Sequence, residues 1–376
     1  MFCGVDDASK HVWLHRRFGF GGASALEGAL SVEVDRLLDP DAHGVPAAAD
    51  PWDDAAFAGD PRDGGRQLNQ LAIDGWLERM RTTPRPLEER MTWVWHDHFA
   101  TSMAGVPHPW LLVNQVRTIQ RHALGSFPEL LRAMTVDPAM LLWLDGDTST
   151  GRSPNENYGR ELLELFSVGL GNHTEADVSA AAVALTGYRV QLGTWAVSLV
   201  SRRHDDTAQT LLGRSGVHDV DTVVDAVCAS SACATFVATR TIDRLLGPAA
   251  AADAGIVSDV AATFRSSGLE IRPMVATIVD IGLARIGADP IPEAPVPWLV
   301  HAERSTGVRL SAPQRIGGLR AAGQVPMVPP DVGGWPAGDV WLAAAPVIAR
   351  ATLAQQIADG DDALALSLCG PEGVMV

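Results

Sequence analysis

The sequence predicts a mainly α-helical protein: one large helical unit over residues 1–376, with a small β-hairpin inserted near residues 188–200. Three observations predict it. Apolar residues recur at helical spacing over long stretches, prolines and capping residues punctuate the chain where helices should begin, and the strand-like stretch between Tyr188 and Val200 is short. Hydrophobic residues make up 47% of the chain, an ordinary share for a protein with a packed core, so disorder is not expected. At 376 residues a chain buries roughly three-quarters of its unfolded surface and needs no metal or disulfide staple.

The first marked segment, Val45–Gly65, is rich in Ala, Asp, Pro and Gly and reads as a loop. A helix over Gln67–Arg81 follows and breaks at Thr82–Pro86. The segment Pro86–Ser102 is a helix with proline in its first turn. At 100° per residue, Leu87, Met91, Val94 and His98 share one stripe beside Trp95, His96 falls opposite, and Asp97 lies between. A further helix opens at Ser153, with Ser153 as N-cap, Pro154 first in the helix and Glu156 completing a capping box. Tyr158, Leu162, Leu165, Phe166 and Gly169 form its apolar side, and Asn157, Arg160, Glu161 and Glu164 its polar side. Thr174 and Asp177 make a second capping box, for a short helix closing near Gly187.

Tyr188–Leu192 and Thr194–Val200 read as strands joined at Gly193, followed by a polar loop to about residue 216. Helical patterning resumes at Asp219 and runs, with breaks, to about Gly323. Val325–Val340 holds four prolines and three glycines and is therefore a loop. A last helix spans Trp341–Asp359, ahead of a weakly patterned tail.

A net charge of −16 opposes nucleic-acid binding, which relies on clustered Lys and Arg. Of the cysteines Cys3, Cys228, Cys233 and Cys369, only Cys228 and Cys233 are close, at a spacing that suits neither a zinc site nor a redox pair. The N-terminal residues show no apolar run of signal or membrane-spanning length, so the expectation is a cytoplasmic protein that does not bind membranes. No phosphate-cradling glycine loop, nucleophile elbow, HExxH helix or paired CxxC appears, which disfavours the common nucleotide-dependent enzymes, α/β-hydrolases and zincins.

Several segments carry a resemblance in a fixed order: Arg16-Arg17-Phe18-Gly19-Phe20-Gly21, then Trp95-His96-Asp97-His98-Phe99, then Asn155-Glu156-Asn157-Tyr158-Gly159-Arg160-Glu161-Leu162-Leu163-Glu164-Leu165-Phe166. Asn172–Val178, Ala184–Gly187, His204-Asp205 with Leu212-Gly213, and Pro329–Pro336 complete the series. Each is weak alone; together they resemble the bacterial family catalogued as domain of unknown function number eighteen hundred. Two positions depart from that resemblance: Asp97 and Asp331 stand where family members often carry Asn, and each adds an acid. Family members are often exported, whereas this sequence shows no leader. The resemblance carries no activity, so the chemistry must come from the residues.

Glu161 and Glu164 project along one helical stripe with Asn157, a spacing found among carboxylates that bind metals in helical bundles. The plainer reading is a solvated helix face with Arg160 and Glu164 as an i,i+4 pair. His98 on its apolar stripe is either a ligand or a core histidine with one hydrogen bond, and His96 either lines a pocket or lies on the surface. His173 precedes a capping box, where it caps the helix or meets a substrate anion. His204 and Asp205 form a loop pair suited to a base and its orienter, or simply supply loop polarity. Asp331 and Trp335 belong to a stiff segment that is either a pocket wall or a plug over the core.

The expectation is an enzyme acting on a small molecule, by hydrolysis or oxidation, with His98, Glu161, Glu164, His204 and Asp205 as catalytic groups. His96, Asn157, Arg160, His173, Asp331 and Trp335 would contact substrate, and Glu161, Glu164 and His98 would hold a divalent metal. The alternative is a non-catalytic binding or assembly protein in which the same motifs form a structural polar network.

Overall fold

The computed structural model describes residues 6–21, 29–58, 65–288 and 290–376. Cys3 and residues 59–64 of the expected first loop lie outside them. The described chain is mainly helical, with nineteen α-helices and two small antiparallel hairpins. Its apolar residues gather into two cores. One is built on helices Phe127–Thr135, Val220–Ala229, Ser231–Leu246, Ala254–Ser266 and Ile271–Ala284. The other is built on Gly65–Thr82, Pro295–Thr306, Ala312–Ala321 and Ala344–Ala358.

Helix Pro86–His98 runs between the two cores and serves both: Leu87, Met91, Val94 and Trp95 pack into the first and Trp93 into the second. Every residue along it except Glu88 is buried. That placement excludes the surface alternative for His96, because a helix flanked by two cores has no broad solvent face. Its buried carboxylates are paired accordingly. Glu89 accepts from Trp76 Nε1 at 2.6 Å and from Arg79 Nη2 at 3.0 Å, as a fully buried carboxylate requires.

Helix Gly65–Thr82 matches its expected position, but Pro86–Ser102 ends early, at His98. The expected N-cap at Ser153 lies two residues further on. Asn155 Oδ1 accepts from Tyr158 N at 3.0 Å, and Asn155 Nδ2 donates to the Leu144 carbonyl at 2.8 Å. Asn155 thus fixes both the helix start and the preceding loop, a double role that serine cannot fill. The capping box of Thr174 and Asp177 is present and opens helix Glu175–Ala184.

The expected hairpin forms from β1 (Tyr188–Val190) and β2 (Val197–Leu199), which are shorter than predicted. The segment read as a polar loop holds a second hairpin, β3 (Gln209–Leu211) and β4 (Arg214–Val217). Leu212 and Gly213 make its two-residue turn, both with positive φ. Such a turn matches the strand twist, but the leucine hid it. The Pro/Gly-rich segment is irregular up to a short 3-10 helix, Gly338–Leu342, and the tail forms two further helices, Asp362–Cys369 and Pro371–Val374.

No single described helix is long and apolar enough to cross a membrane. The bent pair Val220–Ala229 and Ser231–Leu246 has the composition of a span, but Val223, Val227, Val237 and Ile242 are fully buried in the first core.

Candidate functional site

The longest motif, residues 155–166, bends at its centre. After the α-helix Glu156–Glu161 the chain widens into a π-turn over Leu162–Ser167. Ser167 Oγ donates to the Leu162 carbonyl at 2.6 Å, and Val168 N reaches the Leu163 carbonyl at 3.0 Å. Such insertions recur at functional sites because they redirect the side chains before them. Gly159 lets the adjoining helix come close: a Cβ there would lie 2.8 Å from the Val178 carbonyl oxygen. Tyr158 anchors the base through its hydroxyl, which donates to the Thr135 carbonyl at 2.5 Å.

This close packing gathers polar side chains from three segments. Arg160 donates to both Glu175 oxygens, at 2.9 and 2.6 Å, and lies 3.5 Å from Glu164. His173 Nε2 lies 3.4 Å from the same Glu164 oxygen. Glu161 is half-buried beside them, and its carboxyl is raised above the ordinary range, first by burial and then by the like charges of Glu164 and Asp331. Asp331 comes from the distant Pro329–Pro336 segment; it is exposed and accepts from Gly333 N at 2.8 Å. Glu164 thus joins Arg160 and His173, and Asp331 acts on Glu161 through its charge. Asn157 is exposed on the same helix.

The remaining candidates are engaged elsewhere. His98 is buried and bonds the Phe166 carbonyl through Nε2 at 3.0 Å. A carbonyl only accepts, so Nε2 carries the proton. The ring is boxed by Trp95, Phe99, Phe127 and Phe236, and burial pushes it down to about 3. His96 is wholly buried among Trp76, Trp93 and Trp335, which rules out the surface position. Neither of its ring nitrogens has a partner, and burial holds it neutral, down to about 3. Among the described residues no group of three or more His, Cys, Asp or Glu side chains is arranged to hold a metal ion. The set Glu161, Glu164 and His98 does not come together as one.

His204 and Asp205 fasten a turn. His204 Nδ1 lies 2.9 Å from the Thr186 carbonyl, Asp205 N donates to Thr186 Oγ1 at 2.9 Å, and Asp205 Oδ1 accepts from Thr207 N at 3.0 Å. Nearby, burial would raise the Asp219 carboxyl, but the Thr222 hydrogen bonds hold it low, with smaller help from His218 and His204.

Trp335 is 3% exposed and stacks on Trp93, with centroids 5.0 Å apart. Asp97 accepts from Trp335 N at 2.7 Å and pairs with Arg244, which also donates to the Trp335 carbonyl at 3.0 Å. Gly334 (φ +88°) lies so close that a Cβ would meet Asp97 Oδ1 at 2.4 Å. Asp97 is thus a clamp on this loop and does not face the carboxylate patch. Arg240, donating to the Gly333 carbonyl at 3.3 Å, and Arg244 complete the clamp. Sequence reasoning missed both arginines; their signal was a pair of arginines four residues apart, on one face of a helix.

The fold and patch define a helical protein with a half-buried acid beside a carboxylate–histidine pair. A family model described as "Protein of unknown function (DUF1800)" matches residues 13–373, and the chain belongs to that family. No curated protein and no solved structure matches it.

Proposed function

We propose that the chain is an enzyme that transfers protons to and from a small molecule at Glu161, Glu164 and His173. The observation that supports this reading is half-buried Glu161, whose carboxyl is raised first by burial and then by the charges of Glu164 and Asp331. Like charges brought together at a half-buried position favour a carboxyl that keeps its proton nearer neutrality, as a general acid needs. Glu164 beside His173 supplies the complementary base, and Arg160 offers a cation to an anionic group. The gathered residues offer protons and charge, which suits hydrolysis.

A binding or assembly protein is the second reading. It is supported by Asp97, His98, Asn155 and His204, which spend their hydrogen bonds on the protein's own backbone. A cytoplasmic location belongs to the proposal, supported by the free thiols Cys228, Cys233 and Cys369; cell fractionation tests it.

The test of the enzyme reading combines a carboxyl titration followed by carbon NMR with a panel of ester, amide and glycoside model substrates. Glu161 should titrate above the usual value of about 4.3, and Glu161→Gln should abolish whichever turnover the panel finds while the protein stays folded. Turnover that survives Glu161→Gln, or a Glu161 titrating at the ordinary value, would overturn it. No turnover at all favours the binding reading.

A further inference from the structure

Helices Asp7–Phe18 and Pro86–His98 each place an arginine in the interior. Arg17 is 3% exposed and Arg90 5%, and both line a partly open cavity of about 60 Å³ next to Trp93 and Trp335. Arg90 Nε and Nη1 are buried there without a hydrogen-bond partner. The carboxylates in the wall are largely committed. Asp97 and Asp243 both pair with Arg244, and Glu293 pairs with Arg16 at 3.3 Å. One remaining oxygen, Glu293 Oε1, is buried and unpartnered, and Glu293 is the acid whose charge reaches both Arg17 and Arg90. Three guanidiniums, Arg16, Arg17 and Arg90, therefore share one carboxylate.

A guanidinium cannot escape burial by giving up its proton, so an interior surplus of them calls for an anion. The cavity has room for several water-sized positions, enough for a small oxyanion. Arg17 also stands in the wall of a second, larger cavity of about 490 Å³. There Val12, Trp13, Leu246, Ala250 and Ile286 present apolar surface. The small charged chamber and the large apolar one thus share a cationic wall.

We propose that this pair of cavities binds an organic oxyanion with an apolar body. Its carboxylate or phosphate head is held between Arg17 and Arg90, where planar guanidiniums suit bidentate contacts, and its body occupies the larger cavity. This site shares no residue with the Glu161 patch, and either can stand without the other.

Thermal melts and calorimetric titrations of the full chain test it, with octanoate, octyl phosphate, inorganic phosphate and octanol as probes. At least one octyl anion should raise the melting temperature and bind more than about tenfold tighter than octanol. The better of octanoate and octyl phosphate identifies the head group. Arg90→Met should abolish the anion-dependent shift yet leave the ligand-free melting temperature at or above that of the unaltered protein, since an apolar side chain then replaces a buried charge only partly compensated by Glu293. The proposal is overturned by the absence of any anion-dependent shift, or by a shift that persists in both Arg90→Met and Arg17→Met. A ligand-free Arg90→Met that melts well below the unaltered protein overturns it too, because the guanidinium is then a scaffold group. Inorganic phosphate binding as tightly as octyl phosphate removes the apolar chamber from the site.

Discussion

The Pro329–Pro336 segment has two ends that serve different regions of the molecule. At one end Trp335 is stacked on Trp93 and clamped by Asp97 and Arg244, with its backbone N–H and carbonyl both bonded. At the other, Asp331 is exposed, and its charge falls on Glu161. The buried region ties its polar groups to the loop backbone; the exposed region pairs them with one another at the surface. The difference teaches that a motif's distinctiveness does not say which of its residues act. Asp97 and Asp331 both add an acid where the family resemblance leads one to expect Asn. One is absorbed into a buried ion pair, and the other faces solvent beside a second acid.

The sharpest way to break this comparison is to truncate the buried end. Trp335→Ala should cost about 3–5 kcal/mol, the usual loss for a buried tryptophan, and lower the melting temperature by well over 5 °C, since about 1 kcal/mol moves a large domain by roughly 2–4 °C. A melt within about 1 °C of the unaltered protein would show that the clamp does not hold the fold.

Next in size is the response of the buried region to acid. Burial pushes His96 and His98 each down to about 3, while an unfolded histidine titrates near 6.5. The unfolded chain therefore binds more protons below about 6.5, and stability drains away as pH falls from there toward about 3. At pH 4 the loss is about 3 kcal/mol for each ring. His96→Leu removes one of these titrations and gives up no hydrogen bond, because neither His96 nitrogen has a partner. Denaturant melts at pH 7 and pH 4 should show the variant losing about 3 kcal/mol less between the two. Equal losses would mean that His96 is protonated or hydrated in the folded protein.

Much of this contrast was legible in the sequence and part was not, for physical reasons. The helical class, the Thr174–Asp177 capping box and the stiff character of the Pro329–Pro336 loop follow from local rules, because each depends on neighbours a few residues away. The pairing of Glu164 with His173 and the charge of Asp331 on Glu161 were visible only as shared motif membership. Periodicity failed at His96, since it assumes one broad solvent face and helix Pro86–His98 has none. It failed again at residues 162–167, where a π-turn ends the α-helical spacing. Asp97 looked like a site acid because Arg244, its partner, lies far along the chain.

A smaller effect tests the exposed region. Glu161 is raised by burial first and by Glu164 and Asp331 after it. A carboxyl raised in the folded state stabilises below its unfolded value of about 4.3, and that contribution is lost as pH rises through the folded value. Ionised Glu161 is thus a mild burden at pH 7, and Glu161→Gln should raise the melting temperature there by about 1 °C, a modest gain because the group is partly solvated. Below pH 4 the difference should vanish. A lower melting temperature at pH 7 would mean that the ionised carboxylate holds the structure together.

The smallest effect on stability belongs to Asp331→Asn, and it separates the two ends of the loop most cleanly. Asp331 is exposed and accepts from Gly333 N at 2.8 Å, a bond that the Asn carbonyl oxygen can equally accept. Surface changes of this kind stay within about 0.5 kcal/mol, so the melt should hardly move. The titration of Glu161 should move, because a negative charge that raises it is gone: with the charge removed, Glu161 should titrate lower, closer to an ordinary glutamate. Measuring both properties on one variant distinguishes the alternatives. An unchanged melt with a lowered Glu161 titration places Asp331 in the working electrostatics of the patch. An unchanged titration would mean that solvent screens the two acids from each other, and Asp331 would then drop out of the support for the enzyme reading. A marked loss of stability would make the Asp331 turn part of the same scaffold as Trp335, and the two ends of the loop would no longer differ in kind.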